Sequence, residues 1–278
     1  MATRVGDGEV DVAATGTPDR RRTQFKPPRM AEVVAGILRE RIIDGEFADG
    51  ELLPKQDELL EEFRISRPSM REALRILEDE GLITVRRGNQ GGSVIEVPTA
   101  DTSAYTFGLV LQSRRGSVAG LAEAIRHIEP IAAMLCARRE DREEAVVPVL
   151  RASLVETAEA IGDGERFTAL AREFHERMVG CCGNETMILT VGALETLWSE
   201  QERQWAEEAT SAGTYPVESY RKAVQRAHEG LVAAISNGQP EKASRLAAAH
   251  LEKSQHYSLN GSEDKVVRAT SLRGTFRV

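Results

Sequence analysis

The chain has 278 residues, 41% of them hydrophobic and 29% charged, with a formal net charge of −8, a composition that fits a soluble globular protein long enough for two domains. No apolar run reaches the roughly 18 residues needed to cross a bilayer. The N-terminal stretch has no apolar centre for a signal peptide, and the acidic balance excludes a protein that coats nucleic acid without specificity. A cytoplasmic protein without membrane attachment is expected. Cys136, Cys181 and Cys182 lie outside any metal-finger spacing and suit a reducing compartment. They read as small buried side chains, with oxidant sensing by the adjacent pair as the alternative.

Residues 1–28 are rich in Gly, Thr, Asp and Arg without periodicity and read as a disordered arm. Val34, Ile37, Leu38 and Ile42 then take the spacing of an amphipathic helix, which "DGEFADGELLP" ends. Gln56 to Phe63 reads as a second, short helix with Leu59, Leu60 and Phe63 apolar. The third is the clearest. Ser66 is a good N-cap, Pro68 fits the first turn, and Met70, Ala73, Leu74 and Leu77 form one apolar stripe that Gly81 stops. Beyond Gly81 the period becomes that of strands, "LITV" and "SVIEV" around the turn "RRGNQGG". Three helices and a β-hairpin predict a winged helix-turn-helix over residues 29–97.

Past Pro98 the sequence shows no convincing strand. Apolar stripes run from Val118 through Leu121, Ile125, Ile128 and Ala132 to Leu135, with a kink expected at Pro130. Others fall at Val146, Val149, Leu150 and Leu154, at Phe167, Leu170, Phe174 and Met178, and at Met187, Val191, Leu194 and Trp198. Val224, Leu231 and Ile235 mark the next helix and Ala243, Leu246, Ala247 and His250 the last, with Asn184 and Pro240 at two helix starts. The fold class is therefore mainly α: the winged domain, then an all-α bundle of six or seven helices over 98–258. Residues 259–278 read as a flexible tail.

The arginines explain the winged domain's use. With the apolar stripe of the third helix inward, Pro68, Arg71, Glu72 and Arg75 face outward and Arg67 lies on the flank. Such a helix fits the major groove, where arginine pairs with guanine. Ser69 and the first backbone N–H groups suit phosphate, and Arg86 and Arg87 sit on a glycine-rich turn that can approach the duplex closely. An isolated arginine stripe is more often a solvated face; its position on the third helix beside a basic wing favours DNA.

The run "GELLPKQDELLEEFRISRPSMREALRILEDEGLITVRRGNQGG" resembles the DNA-binding domain of the GntR family of bacterial transcription regulators. It shares Leu53-Pro54, Ser66-Arg67, Arg71-Glu72-Ala73-Leu74, Leu77, Gly81-Leu82 and Arg87-Gly88. The resemblance implies DNA contacts at Ser66, Arg67, Ser69, Arg71, Arg87 and Gly88, to which outward-facing Arg75 and wing-tip Arg86 are added. Asp57 departs from the family, many of whose members have a DNA-contacting arginine there, so the contact is either absent or supplied by Lys55. The second half resembles the FadR-type branch and its FCD ligand-binding domain, through "RHIEPIAAMLCA", "REFHERMVGCCGN", "AHEGLVAAISNGQPEKA" and His250.

His175, His228 and His250 each fall on an apolar helix face and point inward. Three neutral imidazoles around one cavity suit Zn²⁺ or a similar divalent metal with a position left open; buried core histidines are the alternative. The FadR-type resemblance implies metal ligation at all three, with an aspartate one turn before the first. That position is Ala171. Arg126, which the resemblance puts near the pocket, is expected to pair with an effector carboxylate or else with Glu123 or Glu129. The sequence thus points to an effector-responsive regulator, a repressor binding a short palindromic DNA operator as a homodimer and answering to a small carboxylate or acyl compound. A metal-dependent hydrolase and a DNA-binding dimer without an effector are the alternatives. The hydrolase lacks HExxH, a nucleophile elbow and a phosphate loop.

Overall fold

The computed structural model describes residues 29–86, 91–261 and 263–269. The chain divides into two compact units between Val97 and Pro98. The first contains α1 (Met30–Ile43), α2 (Gln56–Phe63), α3 (Arg67–Asp79), β1 (Ile83–Arg86) and β2 (Gly92–Ile95). Val34, Leu38, Ile42, Leu59, Met70, Leu77, Ile83 and Ile95 form its core. The face of α1 is rotated slightly from the expected stripe: Ala31 and Ala35 are buried, whereas Ile37 is exposed.

Ser66 caps α3 as expected, its hydroxyl accepting from the Ser69 N–H, and Pro68 occupies the first turn. The hairpin pairs Ile83 with Ile95, Thr84 with Val94, Val85 with Ser93 and Arg86 with Gly92. It gains a further edge from the link between α1 and α2. Leu52 bridges Val94, Leu53 N–H donates to Ser93 carbonyl at 2.8 Å and Ile95 N–H to Glu51 carbonyl at 2.8 Å. That link therefore satisfies the outer edge of β2, which an isolated hairpin would leave open.

The second unit is all-α: α4 (Ala100–Ser113), α5 (Val118–Arg138), the single turn α6 (Arg142–Ala145), α7 (Val147–Glu159), α8 (Gly164–Gly180), α9 (Glu185–Ser211), α10 (Glu218–Ser236) and α11 (Pro240–Leu259). These are eight helices among the described residues, the additions to the expected set being α4 and α6. The sequence hides α4 because its apolar residues do not form one stripe: Ala104 is buried, whereas Tyr105, Phe107, Leu109 and Val110 are exposed. Helix α5 continues through Pro130 without interruption. Its principal neighbour is α11, while α8 lies along α9. Val149, placed on the α7 stripe, is exposed, and Val146, Val147 and Leu150 are buried instead.

The tail is a correction to the sequence reading. Beyond α11, Val266 bridges Ser117, Val118 N–H donates to Lys265 carbonyl at 2.8 Å and Val267 N–H to Gly116 carbonyl at 2.9 Å. Val267 is fully buried with Ala104, Leu121, Leu197 and Trp198. A lone apolar pair among polar residues carries no periodic signal, so composition alone suggests a loose end where a strap is docked. Residues 270–278 and the expected arm 1–28 lie outside the described residues.

Candidate functional site

Helices α8, α10 and α11 bring His175, His228 and His250 together. Their Nε2 atoms form a triangle with edges of 3.3 Å between His175 and His228, 3.0 Å between His228 and His250, and 3.2 Å between His175 and His250. All three residues are buried. The Nδ1–H of His175 donates to Glu129 Oε1 on α5 at 2.6 Å, which turns Nε2 towards the other two histidines. One proton within the triangle relieves at most two of its edges. The third still sets two lone pairs face to face, and the His228 Nδ1 is buried without a partner.

A divalent cation relieves this arrangement. Tetrahedral ligation with metal–nitrogen bonds of about 2.0–2.1 Å separates the nitrogens by about 3.3 Å, close to the observed edges. The donors are also in the required state. Burial, followed by the neighbouring imidazoles, pushes His228 well below its ordinary value, and burial beside His175 pushes His250 down to about 3, so both are neutral at pH 7. Burial pushes the Glu129 carboxyl up, but the His175 imidazole, with Arg172 beyond it, outweighs that and holds it lowered. Phe174 supports the set, its ring stacked on His228 with centroids 4.1 Å apart.

A small cavity of about 30 Å³ opens on these histidines and is lined also by Ala171, Arg172, Glu202, Tyr215 and Tyr220. Ala171 lies one turn before His175 and brings no carboxylate. Arg126 is not in this lining; it donates to Gln255 Oε1 at 2.9 Å and pairs with neither Glu123 nor Glu129. The cation at the cavity wall is Arg172, which is buried and binds Glu195, with Glu202 Oε2 3.5 Å from its Nε. Glu129, Arg172, Glu195 and Glu202 were not in the expected site. Glu129 stands in the "RHIEP" motif and Arg172 precedes the inward Phe174-His175 pair, but only the packing of α5 and α9 on α8 shows their partners.

On the first unit, Arg71 is exposed and has no ion pair or hydrogen bond with any described residue. Arg67 meets Asp57 at 2.9 Å, and Arg75 is held along its own helix by Glu72 at 2.9 Å and Asp79 at 2.7 Å. Ser66 and Ser69 bond each other at the start of α3, and Arg86 is exposed at the end of β1. Arg87 and Gly88 lie outside the described residues. Glu173 pairs with Arg177, and Glu176 accepts from Ser199, so neither carboxylate joins the histidines. The cysteines form no disulfide; burial raises all three thiols, and Cys136 donates to Met178 carbonyl.

A winged helix-turn-helix followed by a helical unit with three buried, converging histidines is the architecture of a DNA-binding regulator. The family described as "Bacterial regulatory proteins, gntR family" matches residues 30–92 and the "FCD domain" family matches residues 121–253. The chain belongs to the GntR family of bacterial regulatory proteins and carries an FCD domain. It is 26% identical over 244 residues to the HTH-type transcriptional repressor NanR of Enterobacter sp. (strain 638), covering 83% of this chain and 86% of that protein. It is likewise 26% identical over 252 residues to NanR of Edwardsiella tarda (strain FL6-60), covering 86% and 88%. The fold is similar to that of Streptococcus agalactiae GntR, with a TM-score of 0.60 at 22% identity over 81% of this chain and 99% of that one. The chain is a transcription regulator, and no helix among the described residues is long and apolar enough to cross a membrane.

Proposed function

We propose that the chain is a metal-containing, effector-responsive repressor that binds a short palindromic operator as a homodimer. The observation that carries the reading is the convergence of three buried imidazole nitrogens in the helical unit of a chain whose α3 presents Arg71 at the surface without a partner among the described residues. The repressor role is drawn from NanR, the operator symmetry from a two-fold dimer presenting two copies of α3.

In this reading α3 lies in the major groove. Arg71 reads a base, Ser66, Ser69 and the first N–H groups of α3 hold phosphate, and Arg67, Arg75, Arg86, Arg87 and Gly88 flank the contact. His175, His228 and His250 would hold a divalent metal such as zinc, which would supply a Lewis-acidic anchor for an effector carboxylate. Glu129 keeps His175 in the ligating tautomer, and Arg172 supplies positive charge at the cavity wall. Arg126, bound to Gln255 in the next turn of α11 after His250, contributes to the field around the effector and does not grip it. Effector binding shifts the population of DNA-binding arrangements of the dimer.

The test is DNA binding by the full chain to its own promoter region, selected from genomic fragments, with and without zinc. Tight, symmetric protection by the wild-type protein, lost on Arg71→Ala and altered on His228→Ala, is expected. Protection independent of both residues would exclude the reading.

A further inference from the structure

The inner cavity, at about 30 Å³, holds roughly one water molecule, so an effector that reaches the histidines must extend outside it. Two larger grooves share its walls. The first, of about 340 Å³ between α8 and α9, shares Thr168 and Arg172. Its walls carry Glu165, Glu176, Glu200 and Glu207, and its Arg203 is committed to Glu200 at 2.7 Å and Glu207 at 2.5 Å. An anion entering there meets mostly carboxylates.

The second groove, of about 800 Å³ between α10 and α11, shares Tyr220, Val224, His250 and Ser254 with the inner cavity. Beyond them its walls are Ala223, Ala227, Leu246, Ala249, His256 and Tyr257, with Lys253 balancing the single carboxylate of Glu252. His250 faces both spaces and is the most exposed of the three histidines, at 7% against 2% and 0%. Tyr220 stands between them, its hydroxyl donating to the Ser254 carbonyl at 3.5 Å and its ring centroid 4.4 Å from that of Tyr257.

We propose that the effector is a monocarboxylate with an apolar tail: the head passes Tyr220 to reach the histidines, and the tail stays in the α10–α11 groove. The proposal rests on the reading of the histidine cluster as the effector's anchor. Size forces part of the ligand outward, charge directs an anion to this groove and not the acidic one, and alanine, leucine and tyrosine walls favour carbon over hydroxyl groups. A sugar acid or tricarboxylate would bury polar groups against these walls without partners.

The experiment is calorimetric titration of the zinc-treated full chain with acetate, hexanoate, octanoate and citrate, repeated with Ala223→Trp and Ala249→Trp, which fill the groove from exposed positions. Affinity is expected to rise about fourfold for each methylene that is buried, with citrate weaker than octanoate. Each tryptophan should weaken octanoate about tenfold or more and leave acetate unchanged. A flat series, tighter citrate, equal losses for acetate and octanoate, or no binding of any acid would overturn the proposal. Metal content of the same samples separates the two readings. Chain-length dependence without metal retains the groove and rejects the metal anchor; metal with a flat series does the reverse.

Discussion

His175 donates its Nδ1–H to Glu129 at 2.6 Å, from one buried side chain to another across α8 and α5. This bond decides which nitrogen of His175 faces the other two histidines, and it sets a negative charge behind the ligand that raises its basicity. Glu129→Gln keeps an acceptor but removes the charge. Zinc affinity, measured by competition with a chromogenic chelator, should fall roughly 10–100-fold. Unchanged affinity would reduce Glu129 to a packing residue.

The pH dependence follows from the depressed imidazoles. An unfolded histidine takes up its proton near pH 6.5, whereas folded His250 does so only at about 3, and His228 is also lowered. Between these limits the unfolded state binds more protons, so stability is fully present above about pH 6.5 and is lost as the pH falls. Each such histidine removes roughly 1.4 kcal/mol per pH unit below that point. For metal-free protein the melting temperature should drop by several degrees between pH 7.5 and 5.5, and less steeply in His250→Asn. Parallel curves for the two proteins would contradict the assignment.

Arg71 and Arg75 separate on the same helix because one has no partner among the described residues and the other is bound twice. Arg71→Ala should cost about 1–3 kcal/mol at the specific site and much less on random DNA, as expected for a base contact. Arg75→Ala should cost less at the specific site, since its guanidinium must leave Glu72 and Asp79 to act. Equal losses for Arg71→Ala on specific and random DNA in a mobility-shift titration would leave it a phosphate contact only.

The docked strap makes a stability prediction. Val267 is fully buried against the core that holds Trp198, and a Cβ on Gly108 of α4 would meet Ala269 at 3.1 Å and Leu197 at 2.9 Å. Val267→Asp places a charge in this apolar core and should cost about 2–4 kcal/mol, read from urea unfolding, with faster amide exchange in α4. An unshifted midpoint would mean that the strap does not stabilise the unit.

Much of this was legible in the sequence. The Ser66 cap, Pro68 and the Met70, Ala73, Leu77 spacing define α3 locally, and the inward faces of His175, His228 and His250 follow from the 3.6-residue period of three strongly patterned helices. What escaped depends on distant segments. Helix α4 has no single apolar face, the strap is recognisable only against α4 and α5, and Arg126 turned to Gln255 because α11 packs along α5. Arg172 reads as an ordinary surface charge until Glu195 and Glu202 are seen opposite it.

Elemental metal analysis of untagged protein purified without chelator, beside the His228→Ala variant, asks whether the three histidines hold a metal. Close to one equivalent of a divalent metal is expected in the wild-type protein, with most of it lost in the variant, even with Ala171 in place of a carboxylate. No metal in the wild-type protein, including after incubation with zinc and removal of excess, would contradict this expectation and leave the three histidines as core side chains.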